Sequence, residues 1–345
     1  MAKFENRALL EEMVARRFIN VQKHPEYPLW LYNYSKRAQH YDIWNEATCA
    51  CRGMIMDAQM NIVSRPFSKF FGYRELEPET LPQGKFTVTD KVDGSLGISY
   101  CYQGNWHIAT RGSFDGKQAM RANKIFHQKY KSNLPKMNPE YTYLFEIIYP
   151  ENSIIVDYGL REELVLLAII DTDTAKEITD FECLTFEKLK TFDGINSFDD
   201  VLQLNCDNAE GVVVRFENGQ RLKVKFEEYK RLHKIMLGLT ENKVWTYLSK
   251  GKDLNELYTL AGEKYKDWIK TTEEKLKTAY IVKQREIIDE YSILTSVPIS
   301  QRAEIIKESL NYDILFNILN KEPIEKLLWQ SVKPDENASW FAQRG

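Results

Sequence analysis

Between about residue 50 and residue 238 the chain alternates short apolar runs with Gly, Asn, Asp or Pro, the texture of strands joined by turns. The runs are CRGMIMD, NIVSRPF, KFTVTDKVDG, LGISYCY, WHIATRG, TYLFEIIY, LVLLAIID, EGVVVRF and RLKVKF. One helix interrupts them: in GKQAMRANKIFHQKYK the apolar Ala119, Ile125 and Phe126 recur at a roughly helical period among polar residues. After about residue 239 the pattern changes. Leu254, Leu257, Tyr265, Trp268, Ile269, Leu276, Tyr280, Ile287 and Tyr291 stand at helical spacing among Lys and Glu, which predicts amphipathic helices. Pro298 separates this stretch from a further helix near AEIIKESL, and Pro323 is placed for the first turn of another, IEKLLWQ. The last dozen residues are expected to form a frayed or docked tail. The pattern predicts an α+β protein of two domains: antiparallel β-sheets with flanking helices over residues 1–238, and an all-α domain over 239–345.

Composition adds a real core and little else, since 43% hydrophobic and 28% charged residues lie close to soluble globular averages. A net charge of only −3 gives no strong whole-molecule attraction to nucleic acid, so any RNA site has to be a local basic patch. Five cysteines are an odd number, and Cys49 and Cys51 have no second cluster to complete a zinc site, which predicts reduced thiols in a cytoplasmic protein. The five histidines show no metal-ligand spacing. The N-terminus is charged and amphipathic without a signal-peptide apolar block, and no apolar run approaches the roughly 18 to 20 residues of a membrane span. Secretion and membrane insertion are thereby set aside, and a monomer is the working expectation.

Lys91-Val92-Asp93-Gly94-Ser95 places a lysine at the end of a strand run and follows it at once with a turn, which exposes the side chain at the rim of a sheet. Alone the signal is weak, because K-x-D-G arises by chance in roughly one chain in ten of this length. Its weight comes from the ordered features downstream: Thr110-Arg111-Gly112, Phe145-Glu146, Glu210-Gly211-Val212-Val213-Val214 and Lys223-Val224-Lys225. A lysine amine attacks a phosphoryl group only when uncharged, and its ordinary pKa is about 10.4, so a nucleophilic lysine needs nearby cations or desolvation. Lys223 and Lys225 alternate on a strand, point to one face, and would supply that charge. Glu146 and Glu210 stand in otherwise apolar strand runs, where a carboxylate needs a compensating partner.

In order and spacing these elements resemble the covalent nucleotidyltransferases (polynucleotide ligases and mRNA capping enzymes), and within them the phage RNA ligases of the tRNA-repair type. The nearer resemblance rests on Tyr32-Asn33-Tyr34, Cys51-Arg52-Gly53 and Ser64-Arg65-Pro66-Phe67-Ser68-Lys69-Phe70-Phe71 upstream of the lysine and on Tyr229 after the lysine pair; it covers roughly residues 30 to 235. It implies a nucleotidyltransferase fold and an ATP-dependent RNA ligase that joins RNA 5′-phosphate and 3′-hydroxyl ends, in RNA or tRNA repair, through AMP carried on Lys91. By the same resemblance Glu210 faces the lysine and a Mg²⁺ or Mn²⁺ ion, and Lys223 and Lys225 act with them. Arg52 and Glu146 reach the ribose, Lys69 and Arg111 serve the phosphates, Asp93 and Gly94 belong to the nucleotide-binding set, and Phe71 and Tyr229 shape the pocket. Arg111 departs from the phage pattern, which has lysine there. Several relatives set an aromatic ring against adenine where this strand reads Leu166-Leu167-Ala168-Ile169-Ile170; Ile169 and Val213 are the expected aliphatic substitutes.

For the RNA ends, tRNA among them, the candidate contacts are the helix face of Lys117, Arg121 and Lys124 and the run Lys230-Arg231-Leu232-His233-Lys234. A capping guanylyltransferase or a DNA ligase resembles the chain around the lysine but usually appends an OB-fold barrel after the Lys-x-Lys strand, where helices are predicted here. A non-catalytic RNA-binding protein of the same fold is the rival from another class; loss of Lys91, Glu210, Lys223 or Lys225 would favour it, and all four are present.

Overall fold

A computed structural model describes residues 2–179, 183–261 and 263–335. Most of the tail expected at the C-terminus lies outside the described residues. The chain clusters into two compact units, residues 1–230 and 231–345.

The first unit begins with helix α1 (Arg7–Ala15), started by the Asn6 side chain accepting from the Leu9 amide. Strands β1 (Ile19–Lys23) and β2 (Leu29–Tyr34), short helices α2 (Lys36–His40) and α3 (Glu46–Ala50), and strands β3 (Arg52–Asp57) and β4 (Ile62–Ser64) follow. The four strands make an antiparallel sheet in chain order. One face packs on α1 and α3 through Leu10, Met13, Ala47, Met54 and Met56; the other presents Leu29, Leu31 and Ile55 to Tyr100, Ala109 and Phe114.

The chain next lays down β5 (Phe71–Gly72), a 3₁₀ turn over Tyr73–Glu75, and β6 (Phe86–Asp90). At Lys91 it crosses into another sheet, formed by β7 (Ser95–Tyr102), β8 (Asn105–Thr110), β9 (Tyr141–Ile148), β10 (Glu163–Asp171), β11 (Glu177–Ile178) and β12 (Glu187–Lys188). It returns through helix α5 (Phe198–Gln203) with β13 (Gly211–Phe216) and β14 (Arg221–Lys225), which complete the order β5-β14-β13-β6. Pairing is antiparallel except β5 with β14 and β10 with β12. Helix α4 (Lys117–Lys129), between β8 and β9, buries Ala119, Ala122, Ile125 and Phe126 against Phe145 and Leu166, the face its periodicity predicts. Asn123 pins it to β8, donating to the Ile108 carbonyl and accepting from the Ile108 amide.

All nine strand runs expected from sequence are strands here, and the hairpin of β1 and β2 is added to them. Its polar INVQK arm, exposed along most of its length, lacks the apolar alternation of a core strand.

Helix α6 (Glu227–Leu237) follows β14, and the second unit continues as α7 (Glu241–Leu248), α8 (Asn255–Ala261), α9 (Glu263–Thr295), α10 (Ile299–Glu308), α11 (Tyr312–Leu319) and α12 (Glu325–Ser331). Pro298 separates α9 from α10 as expected, whereas Pro323 stands one residue before the Ile324 N-cap of α12 and so outside its first turn, where it was expected. Helix α11, YDILFNIL, is a short, mostly apolar run of a length that a buried strand shares, and was not singled out. Ile287 and Leu294 of α9 pack with Ile306, Ile314, Leu315 and Leu328 from the three helices that follow it. No described helix is long and apolar enough to cross a membrane, and the five cysteines are free thiols.

Candidate active site

The crossing from β6 to β7 fixes the anchor lysine. The Lys91 amide donates to the Gly211 carbonyl at 2.9 Å, extending the β6–β13 ladder by one bond and setting Lys91 beside Glu210. The turn that follows is tied from within. Asp93 is buried, and its carboxylate accepts from the Tyr229 hydroxyl (2.9 Å) and from the amides of Ile155 (2.9 Å) and Val156 (3.0 Å). Gly94 lies so close to β9 that a Cβ there would meet the Ile147 carbonyl oxygen at 2.5 Å. Gly211 has φ +152°, and a Cβ would fall 2.1 Å from the Val224 carbonyl oxygen, so only glycine lets β13 and β14 close beside Glu210.

Above this turn lies a cleft of about 710 Å³, a volume suited to a nucleotide. Strand alternation gives one wall: Thr87, Thr89, Val213, Arg215, Arg221, Lys223 and Lys225 line it, while Val88, Val212, Val214 and Leu222 point into the core behind. Leu96, Glu146, Leu167 and Ile178 line it from the sheet that begins with β7; Tyr34 and Arg52 come from the N-terminal sheet. Glu177 accepts from Arg215 (2.7 Å) and Arg221 (2.5 Å) within the lining.

The charges are arranged around two carboxylates. Glu210, 4% exposed, receives Lys91 Nζ at 2.7 Å on one oxygen and Lys225 Nζ at 2.9 Å on the other. Lys91 thus meets Glu210, the carboxylate that the resemblance sets facing it, and shares it with a second lysine. Glu146 accepts from the Gly94 amide at 3.0 Å, and burial pushes its carboxyl up to about 7; Glu210 adds to the rise, while Lys91 and Arg52 oppose it. Burial lowers the Arg52 pKa, and the buried Arg52 Nη1 has no hydrogen-bond partner in the protein, a donor that a ligand oxygen would satisfy. Arg111 donates to the Tyr34 hydroxyl at 2.8 Å. Lys69 is boxed by Trp44 and Phe71, its Nζ 4.3 Å and 3.9 Å from the two ring centroids. Burial lowers the pKa of both Lys69 and Lys223.

Nine of the expected residues therefore share the cleft: Arg52, Lys69, Lys91, Arg111, Glu146, Glu210, Val213, Lys223 and Lys225. Phe71 backs Lys69, and Asp93, Gly94 and Tyr229 hold the turn beneath Lys91. Ile169 is a correction. It is buried on the opposite face of β10 with Trp106, Phe126 and Phe145, and Leu167 stands at the cleft instead. The cause is a β-bulge between Leu166 and Ala168, which leaves Leu167 and Ala168 on the cleft side and turns Ile169 to the other. On α4, Arg121 is turned to Glu162 and lies over the Tyr149 ring, so the basic face expected there is partly consumed internally. Tyr34, Leu167, Glu177 and Arg221 line the cleft without having been assigned roles. Only the alternation on β14, which puts Arg221 in line with Lys223, was a usable signal.

The raised Glu146 carboxyl predicts a pH dependence. Between the ordinary carboxylate value and about 7 the folded protein holds a proton that the unfolded chain releases, so stability declines as pH rises through that window and levels above it. Glu146→Gln should remove the decline and gain about 2 kcal/mol over wild type between pH 5 and pH 8. Urea unfolding at the two pH values measures it; equal slopes for both proteins would refute the assignment.

Residues 50–230, more than half of the chain, match the model of a family described as RNA ligase. The chain is 26% identical over 244 residues to a protein of Autographa californica nuclear polyhedrosis virus named as a bifunctional polynucleotide kinase/RNA ligase, covering 63% of this chain and 35% of that one. It is 25% identical over 169 residues to an RNA ligase of Rhodothermus phage RM378, covering 37% of this chain and 38% of that one. The matched part thus spans little more than a third of these curated relatives. A solved structure named as an ATP-dependent DNA ligase from Aquifex aeolicus superposes with a TM-score of 0.50 at 17% identity, covering 81% of each chain, a likeness of fold.

Proposed function

Since this chain belongs to the RNA ligase family, we propose that it is an ATP-dependent RNA ligase that carries AMP on Lys91 and joins RNA 5′-phosphate to RNA 3′-hydroxyl ends. The observation that carries the proposal is Lys91 Nζ, 2.7 Å from buried Glu210, on the floor of a cleft walled by Arg52, Lys69, Arg111, Lys223 and Lys225. Five cations around one amine and one carboxylate are matched to a polyphosphate and to little else that fits so small a space.

In the first step Lys91 Nζ attacks the α-phosphorus of ATP; the N–P bond forms, the bond to the pyrophosphate oxygen breaks, and the amine loses its proton towards Glu210. Lys223 and Lys225 hold phosphoryl oxygens as negative charge moves onto the leaving group. Arg52 supplies its unpaired Nη1, and Glu146 its carboxylate, to the ribose. Leu96, Leu167 and Val213 offer the base an aliphatic slot in place of a ring. Next, an oxygen of an RNA 5′-phosphate displaces Lys91 from the AMP phosphorus, and the lysine recovers a proton. Finally an RNA 3′-hydroxyl attacks the activated 5′-phosphate, losing its proton as AMP leaves. The three displacements share one set of phosphate contacts, so the protein's part is positioning and charge.

Glu210 is a hard oxygen donor for Mg²⁺ or Mn²⁺. Among the described residues no group of three or more His, Cys, Asp or Glu side chains gathers as a metal site, so an ion here would draw its other ligands from phosphate and water, the usual habit of Mg²⁺. Bound there, it would neutralise charge on the phosphoryl oxygens. Broken RNA, tRNA included, is the substrate class, and the free thiols suit the cytoplasm, where the protein would act as a monomer.

Incubation with α-labelled ATP and a divalent ion should leave label on the denatured protein, and the label should chase into 5′-phosphorylated RNA in preference to nicked duplex DNA. Preference for GTP would reassign the chain to capping chemistry, and a chase into nicked DNA would make it a DNA ligase. No covalent label under varied metal and pH would leave a binding protein.

A further inference from the structure

One acidic residue sits among the phosphate-facing cations without having been assigned a part. Glu75, in the 3₁₀ turn after β5, reaches back over Gly72 so that its Oε1 lies 3.6 Å from Lys223 Nζ and its Oε2 3.9 Å from Lys69 Nζ. Among the described residues it is the carboxylate paired with each of these two lysines. The reach depends on Gly72, where a Cβ would fall 2.9 Å from Glu75 Oε1. Lys69 is the better-held partner, set between Trp44 and Phe71 and 11% exposed, whereas the Glu75 side chain is 50% exposed. Behind Glu75 opens a groove of about 560 Å³, which shares Lys223 and Lys225 with the cleft and continues past Arg74 and Lys230.

We propose that Glu75 is a positioning residue that fills the anion place between Lys69 and Lys223 while no nucleotide is bound, yields it to the β- and γ-phosphates of ATP, and reoccupies it when pyrophosphate leaves. This rests on the reading of Lys69 and Lys223 as phosphate contacts. Burial lowers the pKa of both lysines and Glu75 counters that shift, so the carboxylate keeps a partly desolvated cation pair satisfied. A built-in competitor weakens ATP and pyrophosphate alike in the ground state. It speeds loss of the leaving group and disfavours the reverse reaction, in which pyrophosphate attacks the AMP phosphorus and frees Lys91.

The test uses inorganic pyrophosphate as probe and calorimetry on the whole 345-residue chain in its unadenylylated form. Glu75→Gln should bind pyrophosphate about five- to tenfold tighter than wild type. In lysyl-AMP formation the KM for ATP should fall by a similar factor without a rise in kcat, and Glu75→Asp should restore values near wild type. Gly72→Ala, which crowds the carboxylate out of its place, should move pyrophosphate affinity in the same direction and guards against a folding defect in one variant. Unchanged or weaker pyrophosphate binding in both Glu75→Gln and Gly72→Ala would overturn the proposal. The binding measurement needs no turnover, so it decides the role of Glu75 even if wild type takes no label from ATP, the result that would sink the ligase reading itself.

Discussion

Lys91→Ala is expected to take no covalent label from α-labelled ATP, a complete loss, while folding as well as wild type. The loss follows from removing the proposed nucleophile, and Lys91→Arg should fail equally, since a guanidinium neither sheds its proton nor attacks. Retention of the fold follows from the sharing of Glu210. Once Lys91 is gone the buried carboxylate still receives Lys225 at 2.9 Å, so no buried charge is stranded. A stability change of no more than about 1 kcal/mol is expected in urea unfolding, because the lysine side chain itself is partly solvated. The same variant should still seal RNA that already carries AMP on its 5′-phosphate, a step that does not use the amine. Label at the wild-type level in Lys91→Ala would move the nucleophile elsewhere.

The largest effect on stability should come two residues later. Asp93→Ala removes a buried acceptor from three donors at once: the Tyr229 hydroxyl and the amides of Ile155 and Val156. Hydrogen bonds to a charged acceptor contribute more than neutral ones, and the donors left behind are poorly solvated, so a loss of about 3 to 5 kcal/mol is expected. Asp93→Asn keeps one carbonyl acceptor and should recover part of it. Equilibrium unfolding in urea measures both; a loss in Asp93→Ala of less than about 1 kcal/mol would mean that the tie is dispensable.

These two variants also mark what sequence reasoning could and could not see. The turn after a strand, the rim position of Lys91 and the common face of Lys223 and Lys225 are local consequences of spacing, and they are present in the structure. Asp93 and Gly94 were expected to touch the nucleotide. Here they hold the turn, through partners 136 residues away in Tyr229 and 52 residues away in Glu146, distances over which spacing carries no information. Tyr34 and Glu75 enter for the same reason, from segments whose own pattern gives no sign of what they face. The corrected position of Ile169 has a different origin, since alternation is the right rule for β10 and fails only because one residue is supernumerary.

That extra residue makes the strand editable. Leu166 stands opposite Phe145 and Ala168 opposite Leu144, leaving Leu167 without a counterpart on β9. A chain shortened by one at this spot could keep its topology and nearly all of its ladder. The residues beyond would keep their faces, because Ala168 already stands opposite Leu144 and Ile169 opposite Tyr143; only Leu167, the side chain at the cleft, would be lost. Length at a single position is thus a route to a different wall for the proposed base slot, with the charged residues of the cleft untouched.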